Sequence, residues 1–221
     1  MKVIIKLGGS LLAQGRDILH FLSDYAERKA LCFIIVPGGG PFVEVIKELS
    51  ERKSISDNAA HWMAILAMHQ YGFFLADGEV SIPLVESVEE LSNAGHICIV
   101  LPYNMLKADD SLPHTWDVTS DTIAAFIAHK VGETRFIKVT DVDGILAEDG
   151  SLIKEISAQE LIEKGIKGCV DAELPKFLMR NNMSCVIVNG NFPERIIEVI
   201  EGRETICTSI FLHNLSFKKK V

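Results

Sequence analysis

Two glycine-rich turns are the first residues in this chain with the types and spacing to do chemistry. Lys6-Leu7-Gly8-Gly9-Ser10 stands where an apolar run gives way to a helical one. Glycines at such a junction let backbone N–H groups approach and hydrogen-bond phosphate oxygens, and Lys6 adds a positive charge. Taken alone, the pentapeptide equally fits a tight strand-to-helix turn with a solvent-facing lysine, and it lacks the G-x-x-x-x-G-K-S/T spacing of a P-loop. A second such turn, Val36-Pro37-Gly38-Gly39-Gly40-Pro41, closes the next apolar run. Turns at the C-terminal ends of strands in one parallel sheet face the same edge, where open α/β sheets bind ligands. A shared anion site built from Gly8, Gly9, Ser10, Gly38, Gly39 and Gly40 is therefore expected.

Three further segments carry polar groups in excess of structural need. In Trp116-Asp117-Val118-Thr119-Ser120-Asp121-Thr122, Asp117 and Asp121 are four apart and share a face if both are helical. Helix capping accounts for one or two of these side chains, not for two carboxylates and three hydroxyls together. Lys138-Val139-Thr140-Asp141-Val142-Asp143-Gly144 reads as a strand running into an acidic turn. Its glycine falls at the fourth place and the distal glutamate is missing, so a calcium-binding EF-hand loop is excluded. Lys176 follows in Asp171-Ala172-Glu173-Leu174-Pro175-Lys176, at a helix start, where a lone lysine is ordinarily a surface residue. His61, Trp62 and His69 lie on one helical segment, but two histidines without a third ligand do not make a metal site, so core or pocket-wall roles are expected and no protein-held metal. His114 and Trp116 are candidates for an acceptor pocket.

The elements that must position these groups show in the hydrophobic pattern. Apolar runs VIIKL, LCFIIV, HICIVLP, RFIKVT, CVIVN and TICTSIF alternate with segments of helical spacing at residues 11–29, 42–53, 55–75, 120–129, 158–164, 172–181 and 193–200. Runs so continuous fit strands covered on both faces, which predicts a three-layer αβα sandwich with a mainly parallel central sheet. No flexible linker or fixed-period repeat breaks the 221 residues, so one domain is expected, with a subtle division into lobes near residues 113–120.

Composition narrows the partners. With 22 basic and 30 acidic residues the formal charge is −8, and no basic stripe exists to neutralise a row of nucleic-acid phosphates. The basic run at 218–220 reads as a solvated tail. Hydrophobic residues make up 48%, yet no apolar run reaches eighteen, so no membrane span is expected. Residues 1–10 are basic and then apolar, but the glycines make them a first strand rather than a secretory signal. Cys32, Cys98, Cys169, Cys185 and Cys207 are odd in number and unpaired in spacing, which fits buried thiols in a reducing, cytoplasmic setting.

In their order along nearly the whole chain, these elements resemble the amino-acid kinase family of acetylglutamate, aspartate, carbamate, uridylate and isopentenyl phosphate kinases. The resemblance implies that fold, with an acceptor lobe over roughly residues 1–115 and a nucleotide lobe over roughly 116–221. It implies ATP and Mg²⁺ as cofactors, a small anionic substrate and a homo-oligomer. Lys6 and Lys176 match the lysines that stabilise the transferring phosphoryl group, Asp121 the aspartate that holds the lysines in place, and Thr140, Asp141, Asp143 and Gly144 the nucleotide turn. VPGGGPFVEVIKE, DNAAHWMAILAMHQYG and LPHTWDVTSDTIAAFIA look most like the branch acting on an aminomethylfuran-methyl phosphate, which implies a diphosphate product and makes His114, Trp116 and Asp117 candidate wall residues for an amine. Pro37 and Pro41 flank the second turn where many relatives have histidine nearby, so no histidine contact from that loop is implied. A kinase of a carboxylate or a nucleoside monophosphate would use the same lysines, with a different pocket around residues 56–78 and 102–117. A non-catalytic anion-binding protein on the same scaffold is the rival outside enzymology; such relatives tend to lose the lysines that this chain keeps.

Overall fold

The computed structural model describes residues 1–78, 81–166 and 168–212; the basic run at 218–220 lies outside them. Strand β1 (Lys2–Leu7) leads through a 3-10 turn (Gly9–Leu11) into α1 (Gly15–Lys29) and β2 (Cys32–Pro37). A second 3-10 turn (Gly40–Val43), α2 (Glu44–Glu51) and α3 (Asp57–Ala76) follow, then β3 (Leu84–Val85), α4 (Val88–Ser92), β4 (Ile97–Val100) and α5 (Tyr103–Ala108). The chain continues through α6 (Ser120–Lys130), β5 (Arg135–Thr140), β6 (Glu155–Ser157), α7 (Ala158–Glu163), α8 (Leu174–Asn181), β7 (Ser184–Asn189), α9 (Glu194–Glu201) and β8 (Cys207–Phe211). The strands form one sheet in the order β3-β4-β2-β1-β5-β7-β8-β6, parallel throughout except for the β7–β8 pair. Helices cover both faces, as the continuous apolar strands predict.

Alternation along the strands sorts side chains into two cores. Ile5, Leu7, Phe33, Ile35, Ile137 and Val139 pack with α1 and α9, while Ile4, Ile34, Val36, Phe136 and Ile187 pack with α6 and α8. Lys6 continues the row of Ile4, and Lys138 continues the row of Phe136, so both lysines project toward the α6 face. A helix placed there has its N-terminus at the C-terminal edge of the sheet. Local signals set where helices begin: Ser56 Oγ accepts the Ala59 N–H at 3.2 Å to start α3, and Ser157 and Glu160 form a capping box on α7. Such caps contribute about 1 kcal/mol each.

Two helices start later than their periodicity suggests, because each glycine turn first winds into a 3-10 turn before α1 and α2 begin. Of the cysteines expected to be buried, Cys98 and Cys185 are; Cys32, Cys169 and Cys207 are only partly covered, since each lies at a strand end or in a loop.

Candidate active site

A cavity of about 540 Å³ opens at the C-terminal edge of the sheet, between the two glycine turns, α3, the N-terminus of α6 and the loop before α8. The turns touch backbone to backbone. Gly8 N–H donates to Val139 O and Gly38 N–H to Leu7 O, each at 2.8 Å, so both turns hang from neighbouring strands. A Cβ on Gly9 would lie 2.4 Å from the Gly40 nitrogen, and one on Gly38 would lie 2.8 Å from the Gly9 nitrogen. No side chain fits at either place, which is the reason for glycine at both. Gly8, Gly9, Ser10, Gly38, Gly39 and Gly40 all line the cavity, so the predicted anion loops meet in one place.

The cavity floor holds three charged side chains. Lys6 and Lys138 are register partners across β1 and β5, and both reach the carboxylate of Asp121 on α6. Lys6 Nζ lies 2.9 Å from Oδ1. Lys138 Nζ donates to Oδ2 and also to the carbonyl of Cys169. The side chains are 9%, 7% and 4% exposed for Lys6, Lys138 and Asp121, so the charges act through protein rather than bulk water. Burial pushes the Asp121 carboxyl upward, but the two ammonium groups outweigh it and hold its pKa at about 2. Burial lowers Lys6, with Asp121 only partly opposing and Lys138 adding repulsion; in Lys138 the carboxylate overcomes burial and the pKa is raised. Counted over these three groups, two cations around one anion leave a net charge of about +1, with the Asp171 carboxylate in the adjoining wall.

Asp171 builds the wall beside this floor. Its Oδ2 accepts from the N–H and Oγ1 of Thr119 (2.8 and 2.9 Å) and from the N–H of Thr122 (3.0 Å). Its Oδ1 accepts from Thr122 Oγ1 (2.6 Å) and from the Leu174 N–H (2.8 Å). One carboxylate thus caps both α6, which carries Asp121, and α8, which carries Lys176. Burial, aided by nearby Asp121, pushes the Asp171 carboxyl upward despite these donors.

The other sequence-predicted groups divide. Lys176 was expected beside Asp121, yet its ammonium pairs with Glu173 at 3.2 Å, its side chain is 47% exposed, and it does not line the cavity. The strand register places Lys138 next to Lys6, whereas the first turn of α8 directs Lys176 toward Glu173, which also holds Arg180. Trp116 lines the cavity and donates its indole N–H to Ser50 Oγ at 2.8 Å. His114 stands one layer back, stacked at 4.2 Å on His61, which itself lines the cavity. Asn58 and Asp110 each lie 2.7 Å from a His114 ring nitrogen. Burial and the adjoining His114 push His61 down to about 4, so it is neutral at pH 7. Asp117 is exposed and outside the lining; its carbonyl accepts the Glu173 N–H at 3.0 Å.

Of the predicted nucleotide residues, Thr140 lines the cavity at the end of β5. A hydrogen bond from Ser10 is the main influence lowering the Asp141 carboxyl, which links the turns after β1 and β5. Asp143 accepts from Asn189 Nδ2 at 3.0 Å and from Arg195 at 2.6 Å. Gly144, at φ +149°, packs so closely on Thr208 that a Cβ would lie 2.2 Å from its Oγ1. Sequence reasoning passed over Lys138, Asp171, Glu44 and Asp57, all in the lining. A single lysine in the middle of an otherwise apolar strand was the available signal for Lys138.

The sequence profile of the amino acid kinase family matches residues 1–189. The [5-(aminomethyl)furan-3-yl]methyl phosphate kinase of Methanocaldococcus jannaschii is 32% identical over 215 residues, covering 94% of this chain and 96% of that protein. A uridylate kinase of Methanobrevibacter smithii is 26% identical over 231 residues, covering 92% and 96%. Among solved structures, the uridylate kinase of Archaeoglobus fulgidus superposes with a TM-score of 0.69 at 23% identity, over 95% of this chain and all of that one.

Proposed function

Since the chain belongs to the amino acid kinase family and is an ATP-dependent kinase, we propose that it passes the γ-phosphoryl group to a small phosphate monoester, giving a diphosphate. The observation that carries this reading is the buried Lys6–Asp121–Lys138 group, with its excess positive charge under two glycine turns whose backbone lines the same cavity. Phosphoryl transfer is catalysed chiefly by positioning and by spreading charge over the transferring group. An acceptor phosphate oxygen attacks the γ-phosphorus of ATP in line, the bond to the β-phosphate oxygen breaks, and ADP leaves. A phosphate monoester is already ionised near neutral pH, so no general base is needed. Lys6, paired with Asp121, faces the transferring group. Lys176, half-exposed at the first turn of α8, exchanges Glu173 for a nucleotide phosphate oxygen.

Among the described residues no group of three or more acidic, histidine or cysteine side chains is placed to hold a metal. Mg²⁺ would be held chiefly by the ATP phosphates, as suits an ion bound by few protein ligands, and would neutralise phosphate charge when bound. Thr140, Asp141, Asp143 and Gly144 form the nucleotide side, and His61, His114 and Trp116 the acceptor side. Asp57 puts a carboxylate on the acceptor side of the cavity, where an ammonium group of the substrate would be held; Glu44, also in the lining, pairs with Lys47 at 2.8 Å. That favours [5-(aminomethyl)furan-3-yl]methyl phosphate, and hence a role in methanofuran biosynthesis, as does the 32% identity to a kinase of that name. No helix among the described residues is long and apolar enough to cross a membrane. The same proposal includes a homo-oligomer and no nucleic-acid partner, to be checked by light scattering and by binding to labelled oligonucleotides.

The test is ATP-dependent turnover with the aminomethylfuran phosphate, uridylate, isopentenyl phosphate and acetylglutamate in parallel. Preference for the furan phosphate is expected. Preference for uridylate, whose kinases match nearly the full chain, or for acetylglutamate would overturn the acceptor assignment.

A further inference from the structure

Lys138 occupies a position that charge balance alone does not explain. One buried ammonium, that of Lys6, already compensates Asp121; a second costs desolvation, and the carboxylate of the adjoining wall, Asp171, is taken up by five hydrogen bonds at the starts of α6 and α8. Its bonding also differs from that of Lys6. Lys138 is tied on two sides, to Asp121 Oδ2 and to the carbonyl of Cys169 in the cavity wall, whereas Lys6 is tied on one, to Asp121 Oδ1. The doubly tied cation is fixed, and the singly paired one can turn.

Resting on the kinase reading, we propose that Lys138 is the positioning residue of the transfer site. It holds the Asp121 carboxylate from the side opposite Lys6 and ties the wall at residues 168–171 to the sheet, leaving Lys6 to follow the phosphoryl group. Without Lys138 the Asp121 carboxylate has Lys6 as its sole cation and draws it away from the cavity. The charge count follows the same logic. Summed over Lys6, Lys138 and Asp121, with Asp171 unchanged throughout, the charge is about +1 in the wild type, 0 in Lys138→Met, and +1 again when Asp121→Asn is added.

The experiment is a double-mutant cycle on the full chain, read as kcat, ATP KM and melting temperature. Lys138→Met should lower kcat by about 10²-fold with ATP KM changed less than about threefold. The Lys138→Met/Asp121→Asn double variant should be at least as active as Lys138→Met, and Lys138→Arg should recover a tenth or more of wild-type kcat. Additive losses in the cycle, or a lowered melting temperature with unchanged kcat, overturn the proposal. Should Lys138→Met fail to fold, the double variant and Lys138→Arg still decide it against Asp121→Asn.

A second readout does not depend on the acceptor. The ¹³C-labelled Asp121 carboxyl, which faces Lys6 on β1, Lys138 on β5 and Asp171 before α8, should titrate at a higher pH in Lys138→Arg and higher still in Lys138→Met. An unmoved midpoint overturns the proposal. Wild-type inactivity on all four acceptors would count against the acceptor reading alone, and the titration would still decide the role of Lys138.

Discussion

Asp121→Asn preserves side-chain shape and removes the single negative charge between two buried ammonium groups. The wild-type carboxyl falls from its ordinary 3.8 to about 2, which corresponds to about 2.5 kcal/mol of stability at ~1.36 kcal/mol per pKa unit. Because the folded-state pKa is depressed, that stability is fully present above the unfolded value and is lost as pH falls through the folded one. Breaking a buried pair by removing one partner costs ~3–5 kcal/mol, since Lys6 and Lys138 are left facing each other. The two estimates meet near 3 kcal/mol, or a fall in melting temperature of roughly 6–12 °C for a domain of this size. Thermal melts of both proteins at pH 7, then stepwise to pH 2.5, measure it. Protonated Asp121 is as neutral as asparagine, so the gap should narrow below about pH 4. Turnover per folded molecule should drop on the order of 10²-fold, because Lys6 then loses its paired carboxylate and Lys138 one of its two ties. A gap constant down to pH 2.5, or no gap at pH 7, would refute the electrostatic account. A stability loss with normal turnover would leave Asp121 a structural residue of α6.

Lys6→Ala should reduce kcat about 10²-fold or more with much less effect on ATP affinity, and Lys176→Ala should do the same if its half-exposed ammonium leaves Glu173 for the nucleotide; near-normal turnover removes the lysine concerned from the mechanism. Gly9→Ala drives a methyl group into the backbone of Gly40, so the two turns must part; ATP binding measured by calorimetry should weaken more than tenfold while the far side of the sheet keeps its hydrogen-exchange protection. Asp171→Ala strips the caps from α6 and α8 together and should cost about 3 kcal/mol in urea unfolding, whereas loss of an ordinary single cap costs about 1.

The layers of the fold were legible because five of the six apolar runs are strands buried on both faces and the helices between them, α7 apart, carry 3.6-residue periodicity over eight residues or more. β3, β6, α4 and α5 were not read, being two to six residues long, where a period registers weakly; the six-residue α7 was read. The antiparallel direction of β8 was also hidden, since apolar pattern does not encode strand sense; its alternately buried residues are the only trace of its place toward the sheet's edge. At the site, glycine turns and the Asp121 segment were visible as unusual local composition. The pairing of Lys6 with Lys138 was not, because it depends on β1 and β5, more than a hundred residues apart, lying in one register. His61 and His114 meet face to face for the same reason: α3 and the segment before α6 are brought together only by the tertiary fold.

The five hydrogen bonds to Asp171 make a yoke of two helices. A rotation of α8 that swings Lys176 toward a ligand pulls on the same carboxylate that fixes the first turn of α6, and so on the ground beneath Asp121. Any closing movement at the nucleotide side is then transmitted, through a single side chain, to the place where the acceptor is attacked.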